Sequence, residues 1–141
     1  MSIASRDEIA KEGFVYLAGA YRGRYDTTSY TEIDKNINVA RFWAKELAER
    51  DIPLFCPHLN SAHFEVIAPT VAQEYWLRMD LVLLAHAKAI FLLPGYQISS
   101  GAMNELLCAK KWGIPDFYAQ SVANGSGIED LVTLFRKNRR N

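Results

Sequence analysis

Several features that would assign a chain at a glance are scarce or missing here. There is no charge excess, because 16 Lys and Arg balance 16 Asp and Glu for a formal net charge of zero. A protein that neutralises many phosphates needs a basic excess, so a nucleic-acid polymer is not the expected partner. No apolar run approaches the roughly 18 residues that a membrane span requires, so no membrane is expected either. The first residues carry acids and lack an apolar core, which argues against a secretory signal. Cysteine is scarce: Cys56 and Cys108 stand far apart in apolar contexts and form no CxxC pair. The expectation is a reduced, cytoplasmic protein. A GxGxxG fingerprint is missing, which disfavours a Rossmann-type redox protein, and no cofactor is expected. His58, His63 and Glu65 are spaced H-x4-H-x-E, which matches no established metal pattern, so no metal is expected. Repeats, linkers and low-complexity tracts are absent, and 141 residues suit one domain spanning 1–141.

Half of the chain is hydrophobic, and its pattern alternates short apolar runs with longer amphipathic stretches. Residues 14–18, 52–56, 89–93 and 114–118 read as strands, the third as one covered on both faces. Between and after them, helical spacing runs over roughly 32–50, 70–87, 99–112 and 128–137. The second of these helices carries Tyr75, Met79, Val82 and Leu83 on one side. A polar loop is expected from Pro57 to about Pro69. Trp43, Trp76 and Trp112 sit at helical core spacing, and the basic tail at 136–140 reads as a solvated helix end. Strand and helix in strict alternation predict an α/β protein of Rossmann-like or flavodoxin-like type. This is a three-layer αβα sandwich on a parallel sheet of four to five strands.

Such sheets bind ligands beyond the carboxyl ends of their strands, which nominates the loops after the first three. In the first loop, glycines flank Arg22, and Arg24 follows; these arginines suit a phosphate or carboxylate, or they are surface charge. After the third strand, Ser99-Ser-Gly101 opens a helix whose free amides favour an anion. Glu105 comes one turn later and has no capping role, because Ala102 and Met103 occupy the positions where a capping acid would stand. Either Glu105 lies on an exposed stripe, or it is a carboxylate with chemistry to do. Asp80 is likewise embedded in apolar residues; it either pairs with Arg78 or a lysine, or complements Glu105. Two such acids suit one ionised nucleophile and one proton donor, with environments that separate their pKa values. His58, directly after the second strand, suits a ligand contact or the ordering of the loop.

Four segments appear in order: Tyr16-Leu-Ala-Gly19-Ala-Tyr-Arg22-Gly, Pro57-His-Leu-Asn60, Trp76-Leu-Arg-Met-Asp80-Leu, and Leu93-Pro-Gly-Tyr-Gln-Ile-Ser99-Ser-Gly-Ala-Met-Asn-Glu105-Leu. Together they resemble the nucleoside 2-deoxyribosyltransferase-like superfamily, in particular its small uncharacterised phage and bacterial branch. The resemblance covers roughly residues 14–118, and the helix start ending in Glu105-Leu is its most specific part. It implies an enzyme, either a base-exchanging deoxyribosyltransferase or a hydrolase cutting the N-glycosidic bond of deoxynucleoside 5′-monophosphates. Glu105 matches the nucleophile that forms a glycosyl-enzyme ester, Asp80 the acid that protonates the departing base, and Tyr16 the tyrosine that positions the nucleophile. Arg22 and Ser99 match the 5′-phosphate site, Gly19 and Gly101 give close backbone approach, and His58 lies near the base. The helix N-terminus is expected to keep Glu105 ionised. A homodimer or larger homo-oligomer is implied as well. The chain departs from the pattern at Ala20, where the nucleotide hydrolases carry a phosphate-binding serine, and in a longer first loop through Tyr25 to Tyr30. The alternative reading is a non-catalytic nucleotide-binding module on the same fold.

Overall fold

The computed structural model of the chain describes residues 3–22, 29–120 and 125–140; Gly23, Arg24, the extra loop length at 25–28 and Asn124 lie outside them. The four apolar runs form strands β1 (Val15–Ala18), β2 (Leu54–Phe55), β3 (Ala89–Leu92) and β4 (Asp116–Tyr118). All pair in parallel, in the order β2-β1-β3-β4. β1 and β3 are buried along their whole length, as central strands covered on both faces must be. The helices are α1 (Arg6–Glu12), α2 (Tyr30–Glu49), α3 (Pro57–Asn60), α4 (Phe64–Ile67), α5 (Gln73–Ala85), α6 (Ser100–Lys111) and α7 (Ile128–Arg140), with a 3-10 turn over Tyr96–Ile98.

The two-residue period of a strand sends alternate side chains to opposite faces. Val15, Leu17, Phe91 and Phe117 meet Ala40, Ala44 and Leu47 of α2 and Leu131, Val132 and Phe135 of α7. On the other face Tyr16, Ala18, Ile90 and Leu92 meet Leu84 of α5 and Leu106 and Ala109 of α6. The result is the expected three-layer α/β sandwich, with four strands among the described residues.

Some details differ from the reading of the sequence. Helix α1 was not foreseen; a capping box starts it, Ser5 Oγ accepting from the Glu8 N–H at 3.2 Å, but it buries no residue, so no apolar period announces it. The loop expected at 57–69 contains two single-turn helices, α3 and α4, too short to show a period. Of α5 only Leu84 is buried, while Tyr75 and Val82 are exposed. Trp43 packs on the core beside Phe91, ring centroids 5.8 Å apart, but Trp112 caps α6 from the surface. Within the tail, Arg139 is tied down rather than solvated, with Nε 2.9 Å from Glu12 Oε1 and a terminal nitrogen 2.8 Å from Asp51 Oδ2. It also donates to the Asp51 carbonyl, which steadies a residue held at φ 60°, a left-handed conformation costly for a side chain with a Cβ. No helix among the described residues is long and apolar enough to cross a membrane.

At the end of β1 the chain closes tightly on β3. The Leu93 amide donates to the Ala18 carbonyl at 2.8 Å, and a Cβ on Gly19 would lie 2.8 Å from Leu93 Cβ. A close approach that Gly19 provides is therefore to Leu93, at the end of the neighbouring strand. Gly19→Ala is expected to destabilise the protein by about 1–3 kcal/mol through overpacking. Urea unfolding should show a lower midpoint with an unchanged slope; an unmoved midpoint would contradict this account.

Candidate active site

β1 and β3 are neighbours, but the chain leaves β1 for α2 on one face and leaves β3 for α6 on the other. Their exits diverge, and at such a switch point a doubly wound sheet opens a crevice. A cavity of about 570 Å³ lies there, within the usual size range for a small-molecule site. Of the residues nominated from the sequence, Gly19, Arg22, His58, Asp80, Ser99, Gly101 and Glu105 all line it. Tyr16 does not; it is wholly buried in the sheet behind the wall, and its hydroxyl donates to Glu105 Oε2.

That hydroxyl stays protonated. Burial, followed by the charges of Glu105 and Asp80, holds its pKa well above the ordinary value. Burial also raises the Glu105 carboxyl to about 8, with the Tyr16 hydrogen bond pulling down and the Asp80 charge pushing up. The expectation that the α6 dipole keeps Glu105 ionised is thereby corrected. Glu105 is the sixth residue of α6, and the dipole acts on the first turn, so desolvation decides. Asp80 is raised to about 6 by burial alone. It forms no ion pair among the described residues, with Arg78 or otherwise, and its Oδ1 is buried without a hydrogen-bond partner. The two carboxyl groups thus hold one proton between them from pH about 6 to about 8, the condition under which one can attack and the other donate.

Ser99 is the N-cap of α6, its Oγ accepting from the Ala102 N–H at 3.1 Å. Gly101 has open space where a Cβ would stand, with Ser99 Oγ the nearest atom at 3.8 Å. His58 is buried, and burial lowers its pKa, so the ring is neutral. Its Nε2 lies 2.8 Å from the Ala20 carbonyl, which can only accept, so Nε2 carries the proton. Nδ1 is left as an acceptor with no partner among the described residues.

Among the further lining residues, the sequence reading gave no role to Tyr21, Gln73 and Asn104, and read Trp76 as core packing. It weighed Glu65, another lining residue, only as a metal ligand. The Tyr21 hydroxyl donates to Glu65, 3.0 Å from Oε2, and accepts from the His63 N–H at 2.8 Å. Asn36 of α2 anchors this loop by donating to the Tyr21 and Arg22 carbonyls, each at 3.1 Å. The ring of His63 lies 3.1 Å from Asp34 Oδ1 and 3.8 Å from Glu65 Oε1. A usable signal was present for α5: Gln73, Trp76 and Asp80 fall at i, i+3 and i+7, one face of a helix.

Fold and cavity together define a doubly wound α/β protein with a carboxylate pair at its switch point. The chain belongs to the family described as Domain of unknown function (DUF7768), whose model matches residues 13–119. Among curated proteins no sequence matches it. Its fold is shared with two solved structures. One is a conserved protein from Enterococcus faecalis V583, at TM-score 0.63 and 16% identity, covering 89% of this chain and 98% of that one. The other is a 2-deoxyribosyltransferase from the psychrotolerant bacterium Bacillus psychrosaccharolyticus, at TM-score 0.55 and 17% identity, covering 77% and 74%.

The raised Glu105 pKa has a consequence for stability. Between the ordinary carboxyl value of 4.5 and about 8, the folded protein keeps a proton that the unfolded chain has released. Wild-type stability should therefore fall as pH rises through that window. Glu105→Gln mimics the protonated form, so its gain over wild type should be roughly 1–3 kcal/mol larger at pH 9 than at pH 5. Denaturant melts at the two pH values check this; a pH-independent difference would show that Glu105 is not protonated by burial.

Proposed function

We propose that this protein is an enzyme that cleaves or transfers the N-glycosidic bond of a (deoxy)nucleoside or nucleoside 5′-monophosphate. The observation that carries the reading is the placement of Glu105 and Asp80 in one cavity at the switch point, with Glu105 held from behind by Tyr16. The shared fold with a 2-deoxyribosyltransferase supports it. In this reading the Glu105 carboxylate attacks C1′, and the C1′–N bond breaks as Asp80 passes its proton to the leaving base. The oxocarbenium-like transition state is stabilised by the same carboxylate that then traps it as a glycosyl ester. Water or a second base attacks C1′ next, returning a proton to Asp80 and freeing Glu105. In this reading Arg22, Ser99 and the amide-rich start of α6 beside Gly101, all of which line the cavity, hold the 5′-phosphate where the substrate carries one.

Of the two acids Glu105 is the weaker in the free protein, so the single proton rests there. Attack requires it on Asp80 instead. A base whose ring nitrogen or ring carbonyl near the glycosidic bond accepts from Asp80 favours that transfer, so binding prepares the nucleophile. The expected kcat/KM profile is a bell with limbs near pH 6 and pH 8.

A panel of nucleosides and 5′-monophosphates, with free base measured by chromatography, tests the reading. Glu105→Ala should cut base release by at least ~10³-fold and Asp80→Asn by ~10²–10⁴-fold, both variants staying folded. Nucleotide binding with no base release from any substrate would replace this reading with a non-catalytic binding module.

We also propose that the protein self-associates as a homodimer or larger oligomer through α5 and α6. Tyr75 and Val82 of α5 and Leu107 of α6 are exposed, an apolar surface that a second copy of the chain would cover. Sedimentation should give at least twice the chain mass; a fully active monomer would refute it.

A further inference from the structure

The cavity has a further carboxylate in its lining, Glu65, that the cleavage chemistry does not use. Helix α4 docks on α5 through Phe64 and Trp76, ring centroids 5.2 Å apart, one turn N-terminal of Asp80. Glu65 follows Phe64 and so enters the cavity beside the first half of α5, where Gln73 also lines the wall. Gln73 and Asp80 are seven residues apart on one helix face, about 10 Å along its axis, which is on the scale of a nucleobase.

Glu65 is built into place. His63 adopts a left-handed conformation, φ 62°, and starts α4 while giving its N–H to the Tyr21 hydroxyl. Tyr21 in turn donates to the Glu65 carboxylate. Non-glycine residues in that backbone region are uncommon and cluster at functional sites. The Glu65 side chain is 18% exposed, and an ionised carboxylate only accepts, at about four lone-pair positions. The one hydroxyl proton of Tyr21 leaves acceptor capacity over. Next to Tyr21, at a ring-centroid distance of 5.7 Å, His58 adds a buried Nδ1 acceptor with no partner among the described residues. Gln73 supplies a group that can donate as well as accept.

We propose that Glu65, positioned by Tyr21, reads the nucleobase by accepting a hydrogen bond from its exocyclic amino group. The site would therefore take amino-substituted bases, of the cytosine or adenine type, in preference to their oxo counterparts. The inference rests on the nucleoside reading above. The amino group of such a base adjoins a ring nitrogen that accepts; Glu65 meets the first and the Gln73 amide can meet the second. An oxo group in the same place sets a lone pair against the carboxylate, and the buried acceptor is left unpaired.

Calorimetric binding of cytidine against uridine, and of adenosine against inosine, to the Glu105→Ala protein tests this without turnover. The amino member of each pair should bind about 10- to 100-fold more tightly. Adding Glu65→Gln, whose amide can donate as well as accept, should shrink the ratio to within about threefold. Tyr21→Phe should shrink it partly, because it removes the hydroxyl that pins Glu65 but not the acceptor; matched melting curves confirm that both variants are folded. Equal binding within the pairs, or a ratio that survives Glu65→Gln, would overturn the inference and leave the cleavage reading standing. A ratio that behaves as expected, in a wild-type protein that releases no base, would support the inference and overturn the cleavage reading. Binding of none of these nucleosides, nor of their deoxy forms or 5′-monophosphates, would overturn both.

Discussion

The hydrogen bond from Tyr16 to Glu105 joins the middle of the sheet to the helix that carries the more deeply buried of the two cavity acids. Tyr16 is the second residue of β1, in register with Phe55 on one side and Ile90 on the other, and it has no access to water. A phenol in that position needs an acceptor, since a buried hydroxyl without one costs roughly 1–3 kcal/mol. The acceptor comes from α6, the element that follows β3. Glu105 in turn is screened from water by the wall it stands in, and its strongest local stabilisation is the same hydroxyl. Each group makes the other tolerable. Losing either would leave a polar group stranded among Ala18, Leu92 and Leu106 of the core.

The sheet order makes that contact productive. With β1 and β3 side by side and their connections leaving for opposite faces, the space above their carboxyl ends cannot be filled by either connection. Helices α5 and α6 lie on the face to which Tyr16 points, so their inward stripes flank that space. Asp80 and Glu105 therefore share one low-dielectric volume, in which the Asp80 charge makes the ionisation of Glu105 harder. Gly19 permits the strand ends to close to the distance at which this geometry exists.

Much of the frame was legible because β1 and β3 are apolar without interruption and α2 repeats Ile33, Ile37, Ala40, Ala44 and Leu47 at helical spacing. Asp80 and Glu105 stood out as acids set among apolar residues. What escaped notice lacked a period or depended on distant residues. Helix α1 has a start signal but no buried stripe, and α3 and α4 are one turn each. Tyr75 and Val82 group on one apolar side of α5, whereas the face toward the cavity is set by Gln73, Trp76 and Asp80. Glu65 was invisible as a site residue because its partner Tyr21 lies 44 positions away in sequence, and the left-handed turn at His63 that aims it leaves no mark in composition. Desolvation of Glu105 was missed for a similar reason: helix position can be read from spacing, but the depth of a wall cannot.

The exposed side of α5 bears on the same electrostatics. This helix carries Asp80 inward and Tyr75 and Val82 outward, so it spends apolar surface on both sides, which is unusual for a helix on the rim of a monomer. A second copy seated there would remove water from the back of the wall that holds Asp80. Desolvation is the sole force raising that acid, so covering the helix would raise it further and bring its proton affinity nearer to that of Glu105. The proton would then divide more evenly between the two, and the form with an ionised Glu105 would be better populated. Under the proposed function, assembly through α5 would in this way be linked to the ionisation of Glu105 through one helix, without any residue of the partner having to reach the substrate.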